Sequence, residues 1–398
     1  MSLYDKASLV QIPSGTKSGT LYSVLPANGD GDFTHTRATS ATRINKDGLI
    51  ESVASGVPRL DYPLLDGVVQ DCPALLLEPQ RTNLVTYSED FSEWNKGGST
   101  TLTANYAISP DGSQNATRFQ TPTGSGSYLT LEASMTSGNV YTLTLYLKNN
   151  GGENVNIGVS LGFSVGSPVV SKELDLTNEW VRYELIFTAD SNSNYVFVDN
   201  LDNSTSVDCL IWGVQLEEGS YATSYIPTSG SAVTRNADVC NGAGTSAEFN
   251  DSEGVLFLET SMLSSNPNNS TFQIDDGTST NRVRIRFTTT TNQINGLLYS
   301  GVAGQPNIDY TANDVTNPNK VAIRYQVGQI DLFFNGFEVG TITGNATPTG
   351  FNNLSLGTEG NVKQLMVFNE ALTDSELEQI TSWTSFSEMA KGQLYTIE

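Results

Sequence analysis

Short stretches of alternating apolar and polar residues, cut every few positions by clusters of Gly, Asn, Ser and Asp, run through most of this chain. That pattern restricts it to strands and turns. The segment Tyr141-Thr142-Leu143-Thr144-Leu145-Tyr146-Leu147-Lys148 shows it most clearly. Period-two alternation gives a strand with one dry face and one wetter face. Between residues 116 and 217 the same reading predicts strands at 116–119, 128–131, 140–148, 155–161, 172–176, 180–188, 195–200 and 209–217. Seven or eight strands at turn-punctuated intervals argue for a two-sheet sandwich of jelly-roll type. Beyond residue 246 further strands are expected at 254–261, 270–275, 281–288, 293–300, 319–326, 330–335 and 362–368, with Phe334-Asn335-Gly336 as a hairpin turn. One segment breaks the pattern. Thr373 can cap a helix with Glu376 closing a capping box, and Leu372, Leu377, Ile380 and Trp383 supply its apolar stripe. The fold class is therefore all-β, with one short C-terminal helix.

Length and charge divide the chain. Its 398 residues suggest two or three domains at about 150 residues each. Residues 1–81 carry 7 basic and 9 acidic side chains, residues 82–245 carry 6 and 17, and residues 246–398 carry 7 and 17. The leader is near neutral and the two following blocks repel one another and their own copies. In the leader, Phe33, Arg37, Thr39, Ala41 and Arg43 alternate, Asn45-Lys46-Asp47-Gly48 signals a tight turn, and residues 49–53 form a return strand. This predicts a small hairpin-based N-terminal attachment region at 1–81. Sandwiches follow at 82–240 and 246–385, joined through the Pro-, Ser- and Gly-rich segment 227–246, with a tail at 386–398.

Composition excludes several functions. A net charge of −23 repels a phosphate backbone, so no nucleic-acid partner is expected. With one histidine, His35, and three dispersed cysteines, Cys72, Cys209 and Cys240, there is little material for zinc, for His-based acid/base chemistry or for a disulfide framework. No signal peptide or membrane span is visible, so the expectation is a chain made in a cytoplasm that inserts in no membrane.

Candidate chemistry is thin. Gly158-Val159-Ser160-Leu161-Gly162 matches a nucleophile elbow, but strand and turn residues follow it and the one histidine lies upstream, so it reads as a glycine-softened strand. Glu173 and Asp175 share a strand face, as a carboxylate pair would, and read as a solvated outer face. Asn28-Gly29-Asp30-Gly31-Asp32 lacks the glycine and closing glutamate of a calcium loop and reads as an Asx-rich turn. The cluster Asp199, Asp202 and Asp208 would suit calcium; no other cofactor is expected. Trp94, Trp180, Trp212 and Trp383 read as core, leaving Tyr128, Tyr221, Tyr225, Tyr299 and Tyr310 as candidate sugar platforms. Arg282, Arg284 and Arg286 form one strand face. They are expected to pair with internal acids, the alternative being contact with an acidic neighbour or glycan. Arg37, Arg43, Arg59 and Arg81 are donors that could fix the leader against a partner. No catalytic or metal-ligating residue is assigned, ligand-contacting positions stay open, and the chain reads as a non-enzyme.

Two stretches carry a resemblance. Phe33-Thr34-His35-Thr36-Arg37-Ala38-Thr39-Ser40-Ala41-Thr42-Arg43, then Pro58-Arg59-Leu60-Asp61-Tyr62 and Leu75-Leu76-Leu77-Glu78-Pro79-Gln80-Arg81-Thr82-Asn83-Leu84, resembles a segment of tailed-bacteriophage virion proteins that precedes carbohydrate-binding-like sandwiches. Tyr87-Ser88-Glu89-Asp90-Phe91-Ser92-Glu93-Trp94 resembles the opening of such a sandwich, and Trp212-Gly213-Val214-Gln215-Leu216-Glu217-Glu218-Gly219 with Tyr225-Ile226-Pro227-Thr228 its close. The last block, through Lys320-Val321-Ala322-Ile323-Arg324-Tyr325, Asp331-Leu332-Phe333-Phe334-Asn335-Gly336 and Val362-Lys363-Gln364-Leu365-Met366-Val367-Phe368, is similar to concanavalin-A and laminin-G sandwiches. The resemblance implies a virion accessory protein, a head decoration fibre or tail fibre component. It would dock on other virion proteins through its N-terminal region and adhere weakly to cell-surface glycans, as a homo-oligomer that by analogy is a trimer. The alternatives are a tailspike glycan depolymerase and a structural cement that binds no sugar.

Overall fold

The computed structural model describes residues 3–65, 68–123, 126–151, 155–164, 167–190, 195–199, 206–301, 307–344 and 346–383. The expected tail at 386–398 lies outside them. The chain is all-β and divides into two units, one of residues 1–48, 53–79 and 236–398, the other of residues 49–52 and 80–235.

The first unit is a sandwich. Its larger sheet runs Phe337–Thr343, Gln329–Phe334, Asn319–Gln326, Gly254–Ser261, Gly360–Phe368, Ala74–Leu77, Arg59–Asp61, with Leu9–Gln11 also paired to Gly360–Phe368. Facing it is a sheet of Asn307–Thr311, Gln293–Ser300, Asn281–Phe287, Ser270–Asp275 and Asn353–Ser355. Leu256, Leu258, Phe272, Ile285, Ile323 and Leu332 fill the space between. The Asn335-Gly336 hairpin forms as expected, both residues having positive φ (46° and 92°), which matches the twist of the strands it joins. The capping box forms as well. Thr373 accepts from the Glu376 N–H while the Glu376 carboxylate accepts from the Thr373 N–H. The helix Asp374–Thr381 buries Leu377 against Phe257, Phe333 and Phe368 on the outer face of the larger sheet.

The leader is not a region of its own, which corrects the expected division at residue 81. Leu75 and Leu77 lie opposite Val362 and Gly360, and Leu9 opposite Val367, with all three leucines fully buried in the same core as Leu256 and Ile323. Strand Phe33–Thr36 likewise pairs with Val239–Asn241, setting His35 against Cys240. The run Ala74–Leu77 is buried at every position because both of its faces are covered, and it therefore lacks the alternation of a half-wet hairpin.

A buried ionic cluster fastens these distant segments. Asp238 accepts from Arg37 Nη1 at 2.9 Å, His35 Nε2 at 3.1 Å, the Glu78 N–H at 3.0 Å, and Arg59 Nη2. Arg59 also donates to Glu78 Oε2 at 2.6 Å and to the Thr42 carbonyl at 3.1 Å. Arg37 reaches the carbonyls of Thr39, Ala54 and Val57, and Arg43 that of Leu60. The arginines expected to grip a partner therefore hold their own unit's backbone and carboxylates. Burial alone would raise the Asp238 pKa, but Arg59, His35 and Arg37 outweigh it and hold the group below the usual carboxylate range. Asp61 moves the other way, pushed up to about 6 by burial despite the Ile44 N–H it accepts.

The linkage has a definite sign. Asp238, with its lowered pKa, contributes stability above about pH 4 that is lost as pH falls, whereas Asp61 contributes below that value and loses it as pH rises through about 6. Asp238→Asn is expected to cost this unit about 3–5 kcal/mol at pH 7 in urea denaturation, since it removes the carboxylate that Arg37 and Arg59 share and leaves Arg59 with Glu78 alone. The same variant should flatten the loss of stability between pH 4 and pH 2. A chain starting at Gln80 should lose the cooperative unfolding of residues 236–383, seen as rapid proteolysis there.

Candidate functional site

The second unit is also a sandwich. One sheet is ordered Asn95–Gly97, Tyr128–Glu132, Tyr195–Asp199, Val155–Ser164, Ser167–Leu176, and the other Thr101–Ala107, Ala116–Thr121, Val207–Glu218, Val140–Asn149, Val181–Thr188. Leu129, Leu131, Val196, Val198, Ile157 and Leu174 point from the first sheet into the core. Alternation puts their neighbours on the outer face, and the register sorts those neighbours into rows. One row across all five strands reads Gly97, Tyr128, Asp199, Gly158, Glu173, and the next reads Asn95, Thr130, Phe197, Ser160, Ser171. Glu132 and Tyr195 pair in a third.

This outer face is built unlike a solvated one. Phe197 is buried between Tyr128 and Tyr195, each ring centroid 6.1 Å from its own. A Cβ at Gly97 would sit 2.0 Å from the Tyr128 ring, so the absence of a side chain there lets the ring lie over the strand. Beside the rings, Asp199 Oδ1 and Thr130 Oγ1 are both buried without a hydrogen-bond partner. Burial pushes the Asp199 carboxyl up to about 6. Each unpaired group costs about 1–3 kcal/mol, a cost that hydroxyls delivered by a bound molecule would offset. The face therefore combines an aromatic stripe, a partly desolvated carboxyl and a hydroxyl within adjacent rows.

The other candidates separate. Asp208 is on the opposite sheet and accepts from Arg118 Nε at 2.8 Å, Asn150 at 3.0 Å and Gln120 at 3.1 Å, so the guanidinium takes the place that calcium would have. With Asp208 so engaged and Asp199 on the other sheet, the expected trio does not assemble; Asp202 lies outside the described residues. Among the described residues no cluster of three or more His, Cys, Asp or Glu could hold a metal. Asp30 and Asp32 close local turns with Asn28 and Ser23. Ser160 sits at mid-strand, its side chain outside the described set. Glu173 and Asp175 are exposed on the outer face that Asp199 shares.

Of the tyrosines, Tyr128 is on the outer face, whereas Tyr225 is buried against Trp212 with its hydroxyl on Ser88 and Glu89. Tyr221 lies under Arg81, Tyr299 under Arg282, and Tyr310 packs on Phe334. Trp94 and Trp212 are core, while Trp180 and Trp383 are half-buried. Sequence reasoning missed Phe197, Tyr195 and Thr130. The available signal was parity: in Tyr195-Val196-Phe197-Val198-Asp199 the valines take the dry positions and leave aromatics on the wet ones.

No protein-family model matches the chain, and no curated protein does. Parts of it are similar to solved structures. A CBM40 of the Ruminococcus gnavus IT-sialidase, bound to α2,6-sialyllactose, is 19% identical over 33% of this chain and 84% of that one, with a TM-score of 0.29. TmCBM61 in complex with β-1,4-galactotriose is 19% identical over 34% and 99%, with a TM-score of 0.27. The enzymatically active domain of bacteriophage CBA120 tailspike protein 4 is 16% identical over 34% and 21%, with a TM-score of 0.27.

The raised Asp199 pKa predicts a directional effect. Asp199 favours the folded state while protonated, and that contribution is lost as pH rises through about 6. Asp199→Asn should leave stability unchanged below pH 4 and raise it by about 1–3 kcal/mol at pH 8, measured by urea denaturation at both values.

Proposed function

We propose that this protein is a non-catalytic glycan-adhesion component of a tailed-phage particle, and that it holds neutral sugar rings on the outer face through Tyr128 and Tyr195, which flank the buried Phe197. The observation that carries this is the conjunction of an aromatic stripe with two unpaired buried polar atoms, Asp199 Oδ1 and Thr130 Oγ1. Pyranose rings present an apolar face that stacks on aromatics, and their hydroxyls are the donors and acceptors those atoms need. The virion assignment rests on the resemblance of residues 33–84 and of the sandwich opening and close. Binding at one such face would be weak, and display in many copies would raise it through high effective concentration. Docking on the particle would use surfaces of the folded first unit, because the leader's strands and arginines are already engaged in it.

A second reading is hydrolysis. Asp199, whose pKa burial raises to about 6, shares a row with Glu173 two strands away, a Cα separation of about 10 Å. A pair of carboxyl groups on one face, one of them with a raised pKa, is what inverting glycosidases use. Incubation with host surface polysaccharide decides: new reducing ends that disappear in Asp199→Asn establish hydrolysis, and their absence leaves adhesion.

Adhesion is tested by a glycan array probed with the full chain. Tyr128→Ala should weaken binding to the glycans retained by at least about tenfold while the chain still unfolds cooperatively, since one stacked ring contributes on the order of 1.4 kcal/mol. Silence across the array would favour the cement reading. Mass spectrometry of purified particles tests the virion assignment.

A further inference from the structure

The solvent face of the smaller sheet in the first unit holds a row of arginines that form no ion pair among the described residues. Strand Asn281–Phe287 is the middle strand of five, and Val283, Ile285 and Phe287 enter the core. Arg282, Arg284 and Arg286 therefore share the opposite face, about 7 Å apart along the strand. The ion pairs expected of them do not form. All three Nε atoms are buried without a hydrogen-bond partner, and the one hydrogen bond from these side chains is Arg284 Nη2 to Asn295 Oδ1 at 3.4 Å. The nearby acids are turned elsewhere. Asp275, opposite Arg282, accepts from Gln273, Asn353 and the Gly277 N–H, and Asp309 accepts from Asn295. Burial, reinforced by Arg286 and Arg282, lowers the Arg284 pKa to about 10. In a chain with 43 acidic residues against 20 basic ones, leaving three adjacent arginines unpaired is costly unless something else neutralises them.

We propose that this arginine row binds carboxylate-bearing sugar residues of a glycan, a second adhesion site on a different unit from the aromatic face. Guanidinium groups recognise carboxylates through paired N–H donors. The same face carries Ser355, the amides of Asn353 and Gln273 beyond the N–H groups they give to Asp275, and Tyr299 beneath Arg282. That mixture suits a sugar acid better than a bare inorganic anion. The overall negative charge repels dense polyanions such as nucleic acid, while at physiological salt it is screened beyond about 8 Å, so sparse carboxylates still meet the local field of the row.

The proposal goes beyond the neutral-sugar reading and stands or falls without it. The test is calorimetric titration of the full chain with trigalacturonate and with its methyl ester, and with sialyllactose and lactose. At least one acid should bind about tenfold or more tighter than its neutral counterpart, with affinity falling as salt rises. Arg284→Gln/Arg286→Gln should erase that preference without lowering the thermal midpoint, whereas Tyr128→Ala should leave it intact. Equal binding of acid and neutral forms by the wild type, silence toward all four probes, or an undiminished preference in the double variant would overturn the proposal. So would sedimentation showing that the arginines join two copies of the chain, with the dimer lost in the double variant. Failure of the aromatic-face reading would register separately, as unchanged binding of neutral glycans by Tyr128→Ala.

Discussion

Asp238 is the point on which the first unit depends. Four donors converge on a carboxylate with no access to water, drawn from strands near residues 35, 59 and 78 onto a loop two hundred residues later. Such a cluster tolerates no partial assembly, because each missing partner leaves a buried charge uncompensated. It therefore makes the leader and the last third of the chain fold as one body. Leu9, Leu75 and Leu77 then complete a core that residues 236–398 alone would leave open along one sheet edge.

The same principle separates the surfaces that have chemistry to offer from those that do not. Arg37, Arg43 and Arg59 satisfy carbonyls and carboxylates of their own unit, and Arg118 satisfies Asp208. These groups are structural, each held by carbonyls or carboxylates, although Arg59 Nε has no hydrogen-bond partner. By contrast, Asp199 and Thr130 on one sheet face, and Arg282, Arg284 and Arg286 on another, keep buried polar atoms with no partner. Unsatisfied buried groups are costly, and here they belong to side chains on the outward faces of two sheets. Both proposed sites follow from that single distinction.

Much of the architecture was legible. Strands 254–261, 270–275, 293–300 and 319–326 were predicted to the residue, and the capped helix and the Asn335-Gly336 turn were read from local chemistry. Local rules fail where long-range pairing decides. Thr101–Ala107 alternates poorly because it is mostly exposed, and Asn307–Thr311 and Phe337–Thr343 are sheet edges whose inward positions are few, so none of these carried a pattern strong enough to mark it. Of the candidate site, Tyr128 was singled out as a sugar platform and Asp199 only as a calcium ligand. Phe197, and the place of Asp199 beside the rings, became visible once the register set them next to Tyr128.

The residue order by itself determined the class of fold, the turns and the helix cap, because period-two alternation, glycine and asparagine at positive φ, and a Thr-x-x-Glu box act over a few neighbouring residues. It also fixed the net charge of −23. Only the tertiary structure decided that the leader belongs to the last sandwich, that Asp208 is held by Arg118, and that the three arginines face outward unpaired. Charge pairing and strand partnership are settled by which distant segments share a core, and no local rule encodes that choice.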